Sequence, residues 1–381
     1  MNCGRASLRD SRSEPEPSVK RVALVAFGAA LGAAPLLLLA PPPASAQTVQ
    51  TRAAYKAPRN HWGQPDLSGS WTNGSLTREM RPAALGTRAV YTPEEVAKLE
   101  AAVVAEVEEG NRDVDPNAPA PTVGGDIPAG ARPEFAAAGG AVGGYDRGWL
   151  EPGHTVMRVN GQPRTSFVTT PNGQEPPRKP GAPAPQAFRG GASGLGSFDS
   201  YETRSLGERC ILGFGRNAGP PMFPNGFYNN NYQIVQTGDE VAILVEMVHD
   251  VRHIRLNGKH RTDGVRPYMG DSVGRWEGET LVVETKNIPQ RQAYRGSWKD
   301  LTVTERFTRV GPDRLHYQFV ITDPTIWEQP WGGEYEFAPL NGQIFEYACH
   351  EGNYALPGML AGARAEEAEA AKAAAASKAS R

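Results

Sequence analysis

Three cysteines in 381 residues are too few for a disulfide-stapled miniprotein or a multi-cysteine zinc or iron–sulfur module. A surplus of charge is also missing. Lys and Arg total 40 against 42 Asp and Glu, so the electrostatic footprint of a nucleic-acid binder is absent. Past residue 46 there is no run of 18 apolar residues, so no membrane is expected as a partner of the mature chain. Two catalytic and cofactor motifs are absent: H-E-x-x-H, and a G-x-G-x-x-G that opens a helix. No segment of roughly 20–50 residues repeats, which argues against a propeller or solenoid. Glycine (43) and proline (33) are abundant, and hydrophobic residues make up 39%, the composition of a real core diluted by long irregular segments.

The N-terminus reads as an address. Lys20-Arg21 precede an apolar stretch from Val22 to Ala40, and Ala44-Ser45-Ala46 offers an A-x-A cleavage site. The stretch is about 19 residues long, enough to span a bilayer. Pro35, Pro41-Pro42-Pro43 and the small residues at the cut favour a secretory signal over 1–46 that is removed. Its loss takes away five basic and three acidic residues and leaves 35 against 39. A secreted or periplasmic location follows. Cys3 leaves with the leader, so Cys210 and Cys349 are expected to form one disulfide in an oxidising compartment. The rival is a nucleophilic Cys349 beside His350. Neighbours in sequence are a weak sign of a thiol–imidazole pair, because such pairs usually meet in space.

Between 47 and 110 the chain reads as a strand and a helix that wrap the rest. Thr92-Pro93-Glu94-Glu95 is a capping box with proline at the first helical position. Val96, Leu99, Val103 and Val107 then recur at helical spacing up to Gly110. Residues 111–200 are irregular and rich in Gly and Pro, with one hairpin predicted about Asn160-Gly161. From 201 to 358 the text becomes β-rich. Tyr232–Thr237 and Glu240–His249 flank a Gly238-Asp239 turn. Val251–Leu256, Thr280–Asn287, Leu301–Val310, Arg314–Thr322, Glu334–Ala338 and Ile344–Cys349 read as further strands. Asp271–Gly278 reads as a bulged turn, since it lacks the Lys and following helix of a phosphate loop. The fold class is therefore mainly β: an antiparallel meander closed into a barrel or folded into a sandwich, with one N-terminal helix and long loops. Residues 359–381 form an Ala-rich polar tail.

The Gly238-Asp239 hairpin sets a register. Thr237 faces Glu240, Val235 faces Ala242, Ile234 faces Ile243 and Tyr232 faces Val245. Continuing outward, Asn230 faces Met247 and Tyr228 faces His249. One face then carries Tyr228, Asn230, Tyr232, Ile234, Val241, Ile243, Val245, Met247 and His249. If that face is the interior, Tyr228, Asn230 and His249 gather at one mouth of an apolar cavity, the usual form of a small-molecule site. Glu246, Asp250 and Arg252 lie beside it. His249 with Asp250, Glu246 and Tyr228 is a candidate acid–base set, against the alternative of a structural ion-pair network at strand ends. Cys349 would bring Glu346, His350, Glu351, Asn353 and Tyr354 to the same mouth. His249 and His253, four apart on a strand, sit about 13 Å from each other, too far for one zinc. No metal and no cofactor is implied by any motif. Trp298, Trp327 and Trp331 read either as stacking platforms or as plugs at a barrel end.

The strings PDLSGSW (65–71), RSLGERCILGF (204–214), YNNNYQIVQT (228–237), EMVHDVRHI (246–254), GDSVGRWEGETLVVET (270–285), ERFTRV (305–310) and EYACHEGNY (346–354) resemble a large family of secreted proteins from environmental bacteria. That resemblance covers most of the mature chain and implies secretion. Gly69-Ser70-Trp71 at the first expected strand resembles lipocalins and their calycin relatives, which implies a barrel that carries a ligand. The expected function is binding of a small organic molecule, aromatic or lipid-like. The alternatives are an acid–base enzyme (lyase, isomerase or hydrolase) and an envelope interaction protein that uses the Gly/Pro loops.

Overall fold

A single hairpin sets the architecture. Strands β4 (Asn231–Gln236) and β5 (Glu240–Val245) meet through the Gly238-Asp239 turn, with Tyr232 opposite Val245 and Ile234 opposite Ile243. Their alternate side chains Tyr232, Ile234, Val241, Ile243 and Val245 are buried, and the intervening ones face outward. This is the expected register, and it makes the apolar face the inside. The structure, a computed structural model, describes residues 55–110, 117, 153–184, 198–213, 215–226 and 228–379. The signal over 1–46 and most of the Gly/Pro-rich stretch lie outside the described residues.

Nine strands close into a barrel. Around the wall the order is β1 (Gly69–Thr72), β4, β5, β6 (Val251–Leu256), β7 (Asp271–Glu277), β8 (Thr280–Lys286), β9 (Thr302–Gly311), β10 (Arg314–Thr322), β11 (Trp331–Pro339) and β1 again. Closure removes the two sheet edges that an open meander would expose. The short β1 makes it possible: Trp71 pairs with Tyr232 on one side and with Pro339 on the other. The N-terminal stretch thus supplies a stave of the barrel as well as its wrapping. Strands β2 (Arg158–Val159) and β3 (Gln162–Pro163) form the small hairpin predicted about Asn160-Gly161, both with positive φ (52° and 77°).

Three local expectations are corrected. Asp271–Glu277 is strand β7, not a bulged turn. Its inward positions begin with Ser272 and Gly274, where a Cβ would meet Ile254 at 2.8 Å, so apolar residues do not alternate along the strand before Trp276. The meander is also broken once. β6 and β7 run parallel, joined by the crossover 257–270 that parallel strands require. Finally, Ile344–Cys349 is not a strand. β11 already has β10 on one side and β1 on the other, so the closed wall has no edge left for it.

Helix α1 (Pro93–Gly110) starts with the capping box as read: Thr92 N–H donates to Glu95 at 2.8 Å, and Glu95 N–H donates to Thr92 Oγ1 at 3.3 Å. Val96 and Val103 are buried, and Leu99 is largely exposed. The helix rests on the β2 segment, where Glu100 accepts from Val156 N–H at 3.0 Å. Trp327 and Trp331 are buried edge to face, 5.5 Å apart, as plugs rather than platforms. Trp298 is half-buried under Arg266. Helix α2 (Ala355–Ala379) buries no residue. No helix among the described residues is long and apolar enough to cross a membrane.

Candidate functional site

The barrel interior is aromatic, with one ion pair sealed inside it. Tyr232, Phe307, Tyr317, Phe319, Tyr335 and Phe337 are all at most 1% exposed and touch as neighbouring rings. Arg252 projects inward from β6, flanked by Ile254 and Leu256 two and four residues on. Its Nη1 donates to Glu305 Oε1 at 2.8 Å, its Nη2 to Glu305 Oε2 and to Thr285 Oγ1, and its Nε to Ser272 Oγ at 3.2 Å. Burial works against the guanidinium charge, and Glu305 more than offsets it, so the Arg252 pKa is raised. Tyr317 also donates to Glu305 Oε1, at 2.8 Å.

One end of this interior is filled by the chain's own segment 216–223, not by strand residues. Its neck is pinned at Arg216, whose carbonyl accepts from both Gly219 N–H and Phe223 N–H at 3.0 Å. Gly219 has φ +73°, and a Cβ there would meet Met222 N at 2.8 Å, so only glycine closes this loop. The loop occupies three tyrosine hydroxyls. Met222 N–H donates to Tyr317 Oη at 2.9 Å, Tyr335 donates to the Met222 carbonyl at 3.0 Å, and Tyr232 donates to the Asn217 carbonyl at 3.2 Å. Asn73 completes the set by donating to Tyr335 Oη at 3.1 Å. Burial raises the pKa of all three tyrosines, so they remain neutral donors. Phe223 packs its edge on Phe319 and stacks on Tyr294.

The residues expected at the mouth are only partly brought together. β4 begins at Asn231 and β5 ends at Val245, so the pairing does not extend to Tyr228 and His249. Asn229 (φ 55°) and Val248 (φ 63°) adopt left-handed backbone and turn both strands away. His249 is consequently exposed, not an interior group. Asn230 is buried, but it serves the plug loop: its Oδ1 accepts from Asn225 N–H at 2.8 Å and from Asn217 Nδ2 at 3.1 Å. Tyr228 is half-buried and stacks on Tyr347 at 6.2 Å. Glu246 is buried, and it accepts from Asn231 Nδ2 and Phe345 N–H. Met247 is buried against Gly213. Arg252 lies within the barrel rather than at its rim. Glu346, His350, Glu351 and Tyr354 are exposed, and Asn353 donates to the Glu208 carbonyl at 2.8 Å. Cys210 and Cys349 are disulfide-bonded, with Cα atoms 5.6 Å apart.

Asp250 is the candidate whose chemistry is most altered. It is 5% exposed, its Oδ2 accepts from Gly213 N–H at 2.9 Å, and its Oδ1 is buried without a partner. Burial pushes its pKa up to about 6, with the Gly213 bond and His249 opposing. A carboxyl whose folded pKa lies above its unfolded value costs nothing below the unfolded pKa. It destabilises the fold increasingly as pH rises from about 4 to about 6. Asp250→Asn keeps an acceptor for Gly213 and removes that cost. The variant is expected to be more stable than the parent at pH 8, by on the order of 2–3 kcal/mol, and equal to it at pH 4. Urea unfolding at the two pH values measures this, and an unchanged difference between them refutes the assignment.

Tyr317, Tyr335, Glu305, Asn73 and Asn217 were not among the sequence candidates. Glu305 carried a signal, a carboxylate in the inward stripe between Val303 and Phe307. No family model and no curated protein matches the chain. Among solved structures, a crystal structure of a mutant of the fluorescent protein UnaG covers 35% of this chain and 86% of its own. It does so at 15% identity and a TM-score of 0.21. An overlap at that score carries no argument, and the barrel stands on its own strand pairing.

Proposed function

We propose that the protein is a secreted or periplasmic binder of a small aromatic or lipid-like molecule, and that the ligand site is the barrel interior now held by segment 216–223. The observation that carries this reading is the bonding of the three tyrosines. Their hydroxyls reach inward past an apolar ring cluster, and each is met by the backbone of one loop, with Glu305 and Asn73 as the further partners of Tyr317 and Tyr335. A ligand with an apolar body and one polar end meets the same partners when the loop withdraws. The Cys210–Cys349 bond supports an oxidising compartment.

The test uses cis-parinaric acid and anilinonaphthalene sulfonate as probes, with quenching of tyrosine and tryptophan emission as readout. Gly219→Ala leaves the three tyrosine hydroxyls in place and strains the loop, because a Cβ at φ +73° would meet Met222 N at 2.8 Å. It lowers the cost of displacing the loop by about 1 kcal/mol, so probe affinity is expected to rise roughly fivefold. No saturable binding to either protein, or binding that Gly219→Ala weakens, overturns the reading.

A second reading, acid–base catalysis beside the barrel, is favoured by one observation: the unpartnered Oδ1 of Asp250 on a carboxyl that titrates near neutrality. The set His249, Glu246 and Tyr228 then narrows to Asp250 with the exposed His249 next to it.

A further inference from the structure

Outside the barrel wall lies a cavity of about 370 Å³, bounded by Arg81, Thr87, Ala89, Arg164, Ser166 and the run Val168 to Pro171. The loop that forms it leans on β11. Val168 bridges to Gly333, and Thr169 N–H donates to the Gly332 carbonyl at 3.0 Å. Gly332 and Gly333 permit this, since a Cβ on Gly333 would meet the Phe167 carbonyl at 2.5 Å. The volume lies within the range of small-ligand pockets.

Its charge is unusual. Arg81 is 4% exposed, yet no carboxylate pairs with it among the described residues. Its acceptors are all neutral: Thr165 Oγ1 at 2.9 Å, the Pro171 carbonyl at 2.8 Å and the Gly86 carbonyl at 3.2 Å. These take up Nε and Nη1. Nη2 has no hydrogen-bond partner among the described residues. Burial, and then repulsion from another cation, Arg164, lower the Arg81 pKa. Arg164 bonds Glu334 through one Nη2, while its Nε is buried without a partner. Glu334 is already shared with His316 Nε2 at 3.1 Å and Gln318 Nε2 at 3.3 Å. One divided carboxylate therefore stands against two guanidinium groups on the same cavity. A guanidinium's planar fork matches a carboxylate's geometry.

The other lining atoms narrow the ligand. The Ser166, Thr169 and Thr170 hydroxyls are already donating, to the carbonyls of Val168, Gly332 and Gln174. Val168, Ala89 and Pro171 add apolar surface. We propose that this cavity is a binding site for a small organic carboxylate, with Arg81 and Arg164 holding the charged end and the Val168–Ala89 side holding an apolar body. The site is separate from the barrel interior and stands or falls independently of it.

Benzoate is the probe, titrated calorimetrically into the full chain, with sulfate and phosphate as parallel arms. Saturable binding of benzoate with stabilisation against heat is expected. Arg164→Gln should weaken it at least tenfold. Ala89→Leu, which fills the space and leaves both arginines in place, should abolish it without loss of the folded transition. Arg81 also braces its loop, so Arg81→Lys, which keeps a charge, is preferred to a neutral change. Loss of the planar fork should cost about tenfold in affinity. Equal binding of sulfate and benzoate overturns the assignment to an organic carboxylate. Absence of benzoate binding, or binding untouched by Ala89→Leu, overturns the site.

Discussion

Glu305→Gln is expected to destabilise the barrel by about 3–5 kcal/mol, because it leaves the Arg252 guanidinium charged, 1% exposed and without its counter-ion. The amide oxygen of the substituted side chain would still accept from Arg252 Nη1 and from Tyr317, but its NH2 would face Arg252 Nη2, donor against donor, so the loss combines the missing charge with one broken hydrogen bond. Arg252→Met is expected to cost a similar amount at neutral pH, because it leaves the Glu305 carboxylate buried without its cation. Combining Arg252→Met with Glu305→Gln should cost far less than the two single changes added together. Ser272 and Thr285 already bond each other at 2.8 Å, so they keep a partner when the guanidinium leaves. Urea unfolding of the four proteins gives the coupling, expected at several kcal/mol. Additive losses would show that the pair does not act as a unit.

The same arginine shows where sequence reading stops. Arg252 belongs to a run with alternating burial, Arg252, Ile254, Leu256, but its charge argues for the rim unless a partner is known. That partner, Glu305, is 53 residues away on a strand three places round the wall. No local pattern joins them. What was legible was local: the Gly238-Asp239 register, the Thr92–Glu95 capping box, the Asn160-Gly161 turn and the compartment logic behind the disulfide. The mouth cluster was misplaced because the β4–β5 register was extended past its ends. An asparagine at 229 is a natural place for left-handed backbone. A β-branched valine at 248 is not, so nothing in the sequence warned that His249 would be turned outward. Strand β7 was hidden by the reverse effect, Ser272 and Gly274 standing where the period wants apolar residues before Trp276.

The disulfide makes a second large effect testable. Cys210 and Cys349 are 139 residues apart, and the loop they close contains every strand from β4 to β11. Chain entropy alone assigns about 5 kcal/mol to a loop of that length. The folded state argues for less. β11 ends at Pro339, and beyond it the chain is held by few contacts: Leu340 N–H on the Ser70 carbonyl, Phe345 N–H on Glu246, Tyr347 on Tyr228, and Asn353 on the Glu208 carbonyl. When the bond is cut, this segment and α2, which buries nothing, gain freedom in the native state as well. That gain recovers part of the entropy, so Cys349→Ser is expected to cost about 2–3 kcal/mol of global stability. Residues 344–379 should lose hydrogen-exchange protection, while β8, β9 and β10 keep theirs. Collapse of protection across those three strands would mean that the tether holds the barrel itself. Unchanged protection of 344–354 would mean that the noncovalent contacts suffice without it.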